Sequence, residues 1–232
     1  MDVSVILPTY NEKDNIIELI DEILMYLSPM NLEKEIVIID DNSPDGTSEV
    51  VRKHFAGKNE VKVFIRTRDR GFATAIRYGI EKSSGKLVIV MDTDFNHHPK
   101  MLPQMIKFLD FYDIVIASRF TSGGGTNDNF RYVCSYLFNF AIRLTLLTRL
   151  QDNLSGFFAI RRERLFALDF DKIFWGFGDY FFRLLFYAQK TGATILDIPV
   201  IYQKRKGGVK KSNLMSLLIR YTKALIKLRF YG

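Results

Sequence analysis

Val3-Ser4-Val5-Ile6-Leu7-Pro8-Thr9-Tyr10-Asn11-Glu12 opens as an apolar run of strand length and breaks into a polar turn. A stretch of helical period near Asn15–Leu27 follows, and then a second apolar run, Ile36–Ile39. The alternation continues, with Val61–Ile65, Leu87–Met91 and Ile114–Ala117 reading as buried strands and Thr47–Phe55, Ala73–Ser83 and Lys100–Phe111 as helices. Such a β-α-β series predicts an α/β fold, a mostly parallel sheet with helices on both faces. Ligands in these sheets bind beyond the carboxyl ends of the strands. Those ends read Pro8 to Glu12, Asp40-Asp41-Asn42-Ser43-Pro44-Asp45-Gly46, Arg66-Thr67-Arg68, Asp92-Thr93-Asp94 and Ser118-Arg119-Phe120, a polar and largely acidic set.

Beyond Arg119 the pattern changes. A loop at Thr121–Asn129 leads to an aromatic-rich helix from about Arg131 to Leu147. Gln151–Arg161 reads as a loop and strand, Phe174–Thr191 as a helix and Thr194–Tyr202 as a last strand. We divide the chain into a main unit, 1–203, and a basic loop with an amphipathic helix, 204–232.

The chain has 232 residues, 47% of them hydrophobic, enough to bury one sizeable core. Its formal charge of +7 is a C-terminal feature, because the segment after Asp197 holds nine Lys or Arg and no acid. A basic run of that kind suits anionic lipid, an anionic substrate or nucleic acid, or is a solvated face. The acidic strand ends argue against nucleic acid, whose phosphates they would repel. Cys134 is the single cysteine, which excludes an intrachain disulfide and a cysteine-based metal site. The N-terminus lacks the basic region of a signal peptide, and no run approaches the roughly 18 apolar residues of a membrane span. The expectation is a protein that is soluble or peripheral, on the cytosolic side.

Asp92-Thr93-Asp94 brings two carboxylates to the sheet edge within one turn. A hard cation such as Mg²⁺ or Mn²⁺ takes oxygen ligands and completes its shell with substrate phosphates. An acidic solvated turn is the alternative. Asp40 and Asp41 end another strand, where a carboxylate can accept hydrogen bonds from a nucleobase or ribose; capping of the next helix by Asn42, Ser43 or Asp45 is the competing account. Other nucleotide motifs fail: no G-x-G-x-x-G follows the first strand, and Gly79 to Gly85-Lys86-Leu87 lacks phosphate-loop spacing. The adjacent His97 and His98 read as surface residues rather than a zinc site.

The ordered set Val3 to Glu12, Ile39-Asp40-Asp41-Asn42-Ser43-Pro44-Asp45-Gly46-Thr47, Met91 to Asp94 and Ser118-Arg119-Phe120 resembles the inverting family-2 glycosyltransferases of GT-A, Rossmann-like fold. Within them it is most similar to dolichyl-phosphate mannose synthases and related polyprenyl-phosphate glycosyltransferases. The resemblance runs through Ser155-Gly156-Phe157-Phe158-Ala159-Ile160-Arg161-Arg162. It implies that Pro8, Tyr10, Glu12 and Asp41 hold the nucleoside, that Asp92 and Asp94, with Asn96, bind the metal and diphosphate, and that Arg205 reaches the donor. Arg119, Arg131, Ser135 and Lys211 would lie at the acceptor phosphate, with Asp94 and Arg119 serving catalysis. Three positions depart from the family pattern: Asn96 replaces a usual Gln, His98 stands where a proline is common, and Lys210 replaces a Ser in the basic loop Arg205–Lys211.

Asp179, in Phe177-Gly178-Asp179-Tyr180, occupies the region where family members with hydroxyl acceptors place a catalytic base. A sugar hydroxyl needs one, whereas a phosphate monoester, with a second pKa of about 6, does not. The other reading is an N-cap of the helix that follows. From Ser212 on, Ser216, Arg220, Lys223 and Lys227 fall on one stripe and apolar residues cover the rest, the pattern of a helix in an anionic interface or of one packed on a core. The expected activity is inverting transfer of a sugar from GDP-mannose or a UDP-hexose to a polyprenyl phosphate at a membrane, with or without a membrane subunit. A glycan or protein hydroxyl acceptor, and a non-catalytic basic module, are the alternatives.

Overall fold

The computed structural model describes residues 1–203 and 214–232, without the side chains of Asn129, Arg131, Leu214 and Met215. The basic loop carrying Arg205, Lys210 and Lys211 lies outside the described residues.

The elements follow the order β1 (Val3–Thr9), α1 (Lys13–Leu27), β2 (Lys34–Asp40), α2 (Thr47–His54), β3 (Val61–Ile65), α3 (Phe72–Lys82), β4 (Leu87–Val90), α4 (Leu102–Phe108), β5 (Ile114–Ser118), β6 (Gly125–Thr126), α5 (Asn129–Leu146), β7 (Phe158–Arg161), α6 (Arg162–Phe166), α7 (Phe170–Ile173), α8 (Tyr180–Lys190), β8 (Ile195–Pro199), β9 (Ile201–Tyr202) and α9 (Leu214–Tyr231). The main sheet runs β3-β2-β1-β4-β7-β5-β8, with β7 antiparallel to both neighbours and the other pairings parallel. This is the α/β arrangement expected from the alternation of runs.

The strands are largely apolar because both faces of the sheet are covered. Val3, Val5 and Leu7 of β1 pack with Ile16, Leu19, Ile20 and Ile23 of α1, whereas Ile6 faces Ala73, Ile76 and Ile80 of α3. Each fully buried aliphatic side chain contributes about 1.5–3 kcal/mol, so a strand of this kind is held on both sides. A third cluster joins Ile142 of α5, Phe182 of α8 and Ala224, Leu225 and Leu228 of α9. The C-terminal helix is therefore packed on its inner side.

Two elements differ from the sequence expectation. The helix expected over Phe174–Thr191 begins only at Tyr180, because Gly176 takes a left-handed φ of 79° that interrupts helical geometry. The last strand is divided at Val200, where the chain passes from β5 to β6: Val200 N–H donates to Ser118 O and Val200 O accepts from Gly125 N–H, both at 3.0 Å.

Candidate active site

Parallel register brings the strand ends together. Thr9 of β1 lies opposite Asp40 of β2, and Ile6 lies opposite Val90 of β4, so Tyr10, Asp41 and Asp92 leave the sheet at one edge. The first two loops are tied to each other. Asn11 N–H donates to Ser43 Oγ (2.9 Å), Glu12 N–H to Thr47 Oγ1 (3.1 Å) and Lys13 N–H to Asp45 Oδ2 (3.1 Å). Asp45 also takes the N–H and hydroxyl of Thr47 at 2.9 and 2.6 Å, so it serves the first turn of α2. Asp40 is fully buried and accepts from Ser43 N–H and Oγ.

Asp41 is clamped by a residue to which the sequence reading gave no role. Arg66 Nε and Nη2 meet Asp41 Oδ1 at 2.7 and 2.5 Å, and Gly71 N–H donates to Asp41 Oδ2 at 2.8 Å. Arg66 also donates to Asp69 O (3.1 Å) and Gly71 O (3.0 Å), which fixes the loop after β3. Its neighbour Arg70 stands over the Tyr10 ring at 5.3 Å. A buried charge-assisted pair of this geometry sets a loop's position as well as its charge.

The third loop is held from within. Asp92 N–H donates to His97 Nδ1 at 2.9 Å, and the His97 ring stacks on Phe157 at 4.8 Å. Burial pushes His97 down to about 4, so it is neutral and its Nδ1 lone pair is free to accept that bond. His97 is thus a buried support for the Asp92 loop, not the surface residue expected. Asn96 donates to Asp94 through its backbone N–H (3.1 Å) and its side-chain amide (2.9 Å), orienting that carboxylate.

These loops enclose a cavity of about 630 Å³. Pro8, Tyr10, Glu12, Asp41, Asp92 and Asp94 all line it, joined by Arg70 and Gly71 from the loop after β3. Ser155, Gly156, Phe177, Gly178, Tyr180 and Tyr221 close the other parts of the wall. Asp92 and Asp94 offer oxygen donors of the type a hard divalent cation takes. Among the described residues no group of three or more His, Cys, Asp or Glu side chains could hold a metal, so a cation here would draw further ligands from elsewhere.

The remaining predicted residues are placed differently. Arg119 is bidentate to buried Asp152, and Ser135 lies on α5 with its carbonyl accepting from Asn139 Nδ2 at 2.9 Å. Arg131 is on the same helix. Asp179 is fully buried, paired with Arg183 and accepting Phe177 N–H at 2.7 Å. Its carboxylate makes no capping bond to a backbone N–H of α8, so it ties the preceding Gly176-Phe177-Gly178 turn to the Arg183 side chain instead of capping the helix. Arg66 was visible as a strand-end cation. Asp152, Tyr180 and Tyr221 carry no comparable sequence signal.

The profile of Glycosyl transferase family 2 matches residues 4–166. A dolichol-phosphate mannosyltransferase of Pyrococcus furiosus is 37% identical over 179 residues, covering 75% of this chain and 50% of that protein. The chain thus spans about half the length of that relative. An undecaprenyl-phosphate mannosyltransferase of Micrococcus luteus is 32% identical over 218 residues, 91% of this chain and 87% of that protein. Among solved structures, glucosyl-3-phosphoglycerate synthase of Mycobacterium tuberculosis, crystallised with Mn²⁺, UDP and glucosyl-3-phosphoglycerate, superposes with a TM-score of 0.70 at 21% identity, over 98% of this chain and 79% of that one. With a mostly parallel sheet, acidic strand ends gathered on one cavity and a match across most of its length, the chain belongs to glycosyl transferase family 2.

Proposed function

We propose that this protein transfers a hexose from a nucleotide-sugar donor, GDP-mannose or a UDP-hexose, to a polyprenyl or dolichyl phosphate with inversion at the anomeric carbon. The observation that carries this reading is the cavity in which Asp92 and Asp94 stand beside Pro8, Tyr10, Glu12 and Asp41. In it, Pro8, Tyr10, Glu12, Asp41 and Arg70 receive the nucleoside end of the donor, and Arg205 is assigned to the same substrate. Asp92 and Asp94 hold Mg²⁺ or Mn²⁺, with Asn96 orienting Asp94. Bound there, the cation would neutralise charge on the departing diphosphate.

The acceptor oxygen is already ionised, so it needs no protein base, and the buried pairing of Asp179 with Arg183 favours a phosphate over a hydroxyl acceptor. Arg119, Arg131, Ser135 and Lys211 are assigned to the acceptor phosphate, Arg119 acting from its pair with Asp152. The matches to two polyprenyl-phosphate mannosyltransferases support the acceptor class.

A membrane surface is part of the same proposal. No helix among the described residues is long and apolar enough to cross a bilayer. Helix α5 nevertheless exposes Phe130, Val133, Leu137 and Leu144, and α9 exposes Ile219, Ile226, Phe230 and Tyr231. Apolar surface on basic helices suits peripheral docking on the anionic cytosolic leaflet, and a membrane subunit would use the same surface. The test supplies labelled sugar nucleotides with polyprenyl phosphate or, separately, polyprenol. A lipid product that requires both the phosphate and a divalent cation is expected, and transfer to polyprenol alone overturns the reading.

A further inference from the structure

Two phenols meet the cavity at its Asp92 side, and one comes from the C-terminal helix. Tyr180, at the start of α8, is fully buried, and its hydroxyl finds no hydrogen-bond partner among the described residues. That hydroxyl points toward Gly156 of the cavity wall, where an added Cβ would stand 3.8 Å from it. Tyr221 of α9 lines the same wall beside Gly178. A Cβ at Gly178 would overlap the Tyr221 hydroxyl, so this glycine is what lets the phenol reach the cavity. Phe138 and Phe182 flank the Tyr221 ring at 6.1 and 6.2 Å, while Phe72 and Phe174 flank Tyr180 at 6.0 and 5.8 Å, so both rings are held in place.

Both phenols are neutral donors. Burial first, and Asp92 after it, hold Tyr180 well above its ordinary value; burial, then Asp179 and Asp92, act the same way on Tyr221. An O–H buried without a partner is costly, and such a group at a cavity wall is an unmet hydrogen bond waiting for a ligand. Asp41 and the Arg70–Tyr10 pair, which also line the cavity, are the groups assigned to the nucleoside. A neutral pyranose, which offers hydroxyls that both donate and accept, suits uncharged phenols with glycines between them better than a phosphate does.

Resting on the proposed function, we infer that Tyr180 and Tyr221 form the sugar subsite of this cavity, hydrogen-bonding hydroxyls of the donor's hexose, and that α9 is thereby part of the donor site. The full chain is titrated calorimetrically with Mn²⁺ plus GDP or UDP, and with Mn²⁺ plus GDP-mannose or UDP-glucose. Tyr180→Phe and Tyr221→Phe are expected to leave nucleoside diphosphate affinity within about twofold while weakening the sugar nucleotide by up to about tenfold, the loss of one net hydrogen bond. Gly178→Ala, which displaces the Tyr221 hydroxyl without removing it, should act like Tyr221→Phe. Equal loss for diphosphate and sugar nucleotide, or no loss for either, overturns the subsite. Failure of the unaltered protein to bind any of the four nucleotides overturns the donor reading itself.

Discussion

Arg119 and Asp152 form a bidentate ion pair, Nε to Oδ2 and Nη2 to Oδ1 both at 2.8 Å, and Asp152 Oδ2 also accepts the Arg119 backbone N–H at 3.1 Å. The pair ties the end of β5 to the loop before β7. Its carboxylate is fully buried, so removing it strands a guanidinium in a poorly solvated place. Asp152→Ala is expected to cost about 3–5 kcal/mol in urea unfolding. A loss below about 1 kcal/mol would show that the pair does not hold this edge of the site.

Asp94→Asn should abolish transfer and metal-dependent nucleoside diphosphate binding. Asp94 is positioned by two bonds from Asn96, and the amide preserves its shape while removing the charge. A fall of at least about 100-fold in kcat is expected if electrostatic stabilisation of the leaving diphosphate is lost. The melting temperature should stay close to that of the unaltered protein. Full activity in this variant would count against Asp94 as a metal ligand.

Asp179→Ala separates the two acceptor readings. If the carboxylate is an anchor for Arg183 and the Phe177 N–H, the change lowers stability by about 3–5 kcal/mol and leaves measurable turnover in the folded fraction. A base for a hydroxyl acceptor predicts instead a folded protein that binds donor and transfers nothing. Unfolding curves and single-turnover assays on the same preparation decide between them.

Burial, with the charge of Asp152 adding to it, pushes Asp197 up to about 6 from 3.8. Between those values the folded state binds more protons than the unfolded one, so stability falls as pH rises through that window, and the penalty is complete above about pH 6. Asp197→Asn should raise stability at pH 7 by on the order of 1–3 kcal/mol and make little difference near pH 4. Urea unfolding at the two pH values checks the sign, which reverses if the group instead stabilises the fold when ionised.

Leu225 and Ile226 are adjacent on α9 but differ in exposure, Leu225 being buried and Ile226 exposed. Leu225→Ala is expected to cost about 2–5 kcal/mol through the cavity it leaves. Ile226→Glu with Phe230→Glu should change stability by no more than about 0.5 kcal/mol per site while weakening co-sedimentation with anionic vesicles. Vesicle binding that survives both changes would move the lipid contact away from α9.

The sequence by itself determined the sheet and its reactive edge. Apolar runs of strand length separated by helical periods specify a parallel α/β sheet, and a parallel sheet delivers every strand end to the same side, which brings Tyr10, Asp41, Asp92 and Asp94 together without further information. These are consequences of local periodicity and one topological rule. What only the tertiary structure decided are the partners reached across the fold. Arg119 finds Asp152 33 residues away, Asp41 finds Arg66, and Tyr221 arrives at Gly178 from a helix whose pattern suited either a lipid surface or a core. The helix turned out to serve the core along Ala224, Leu225 and Leu228 and to keep Ile226 and Phe230 outside. Such outcomes depend on how helices cross and how loops close, and a hydrophobic period carries neither quantity: it says which face of a helix is apolar, not what that face will meet.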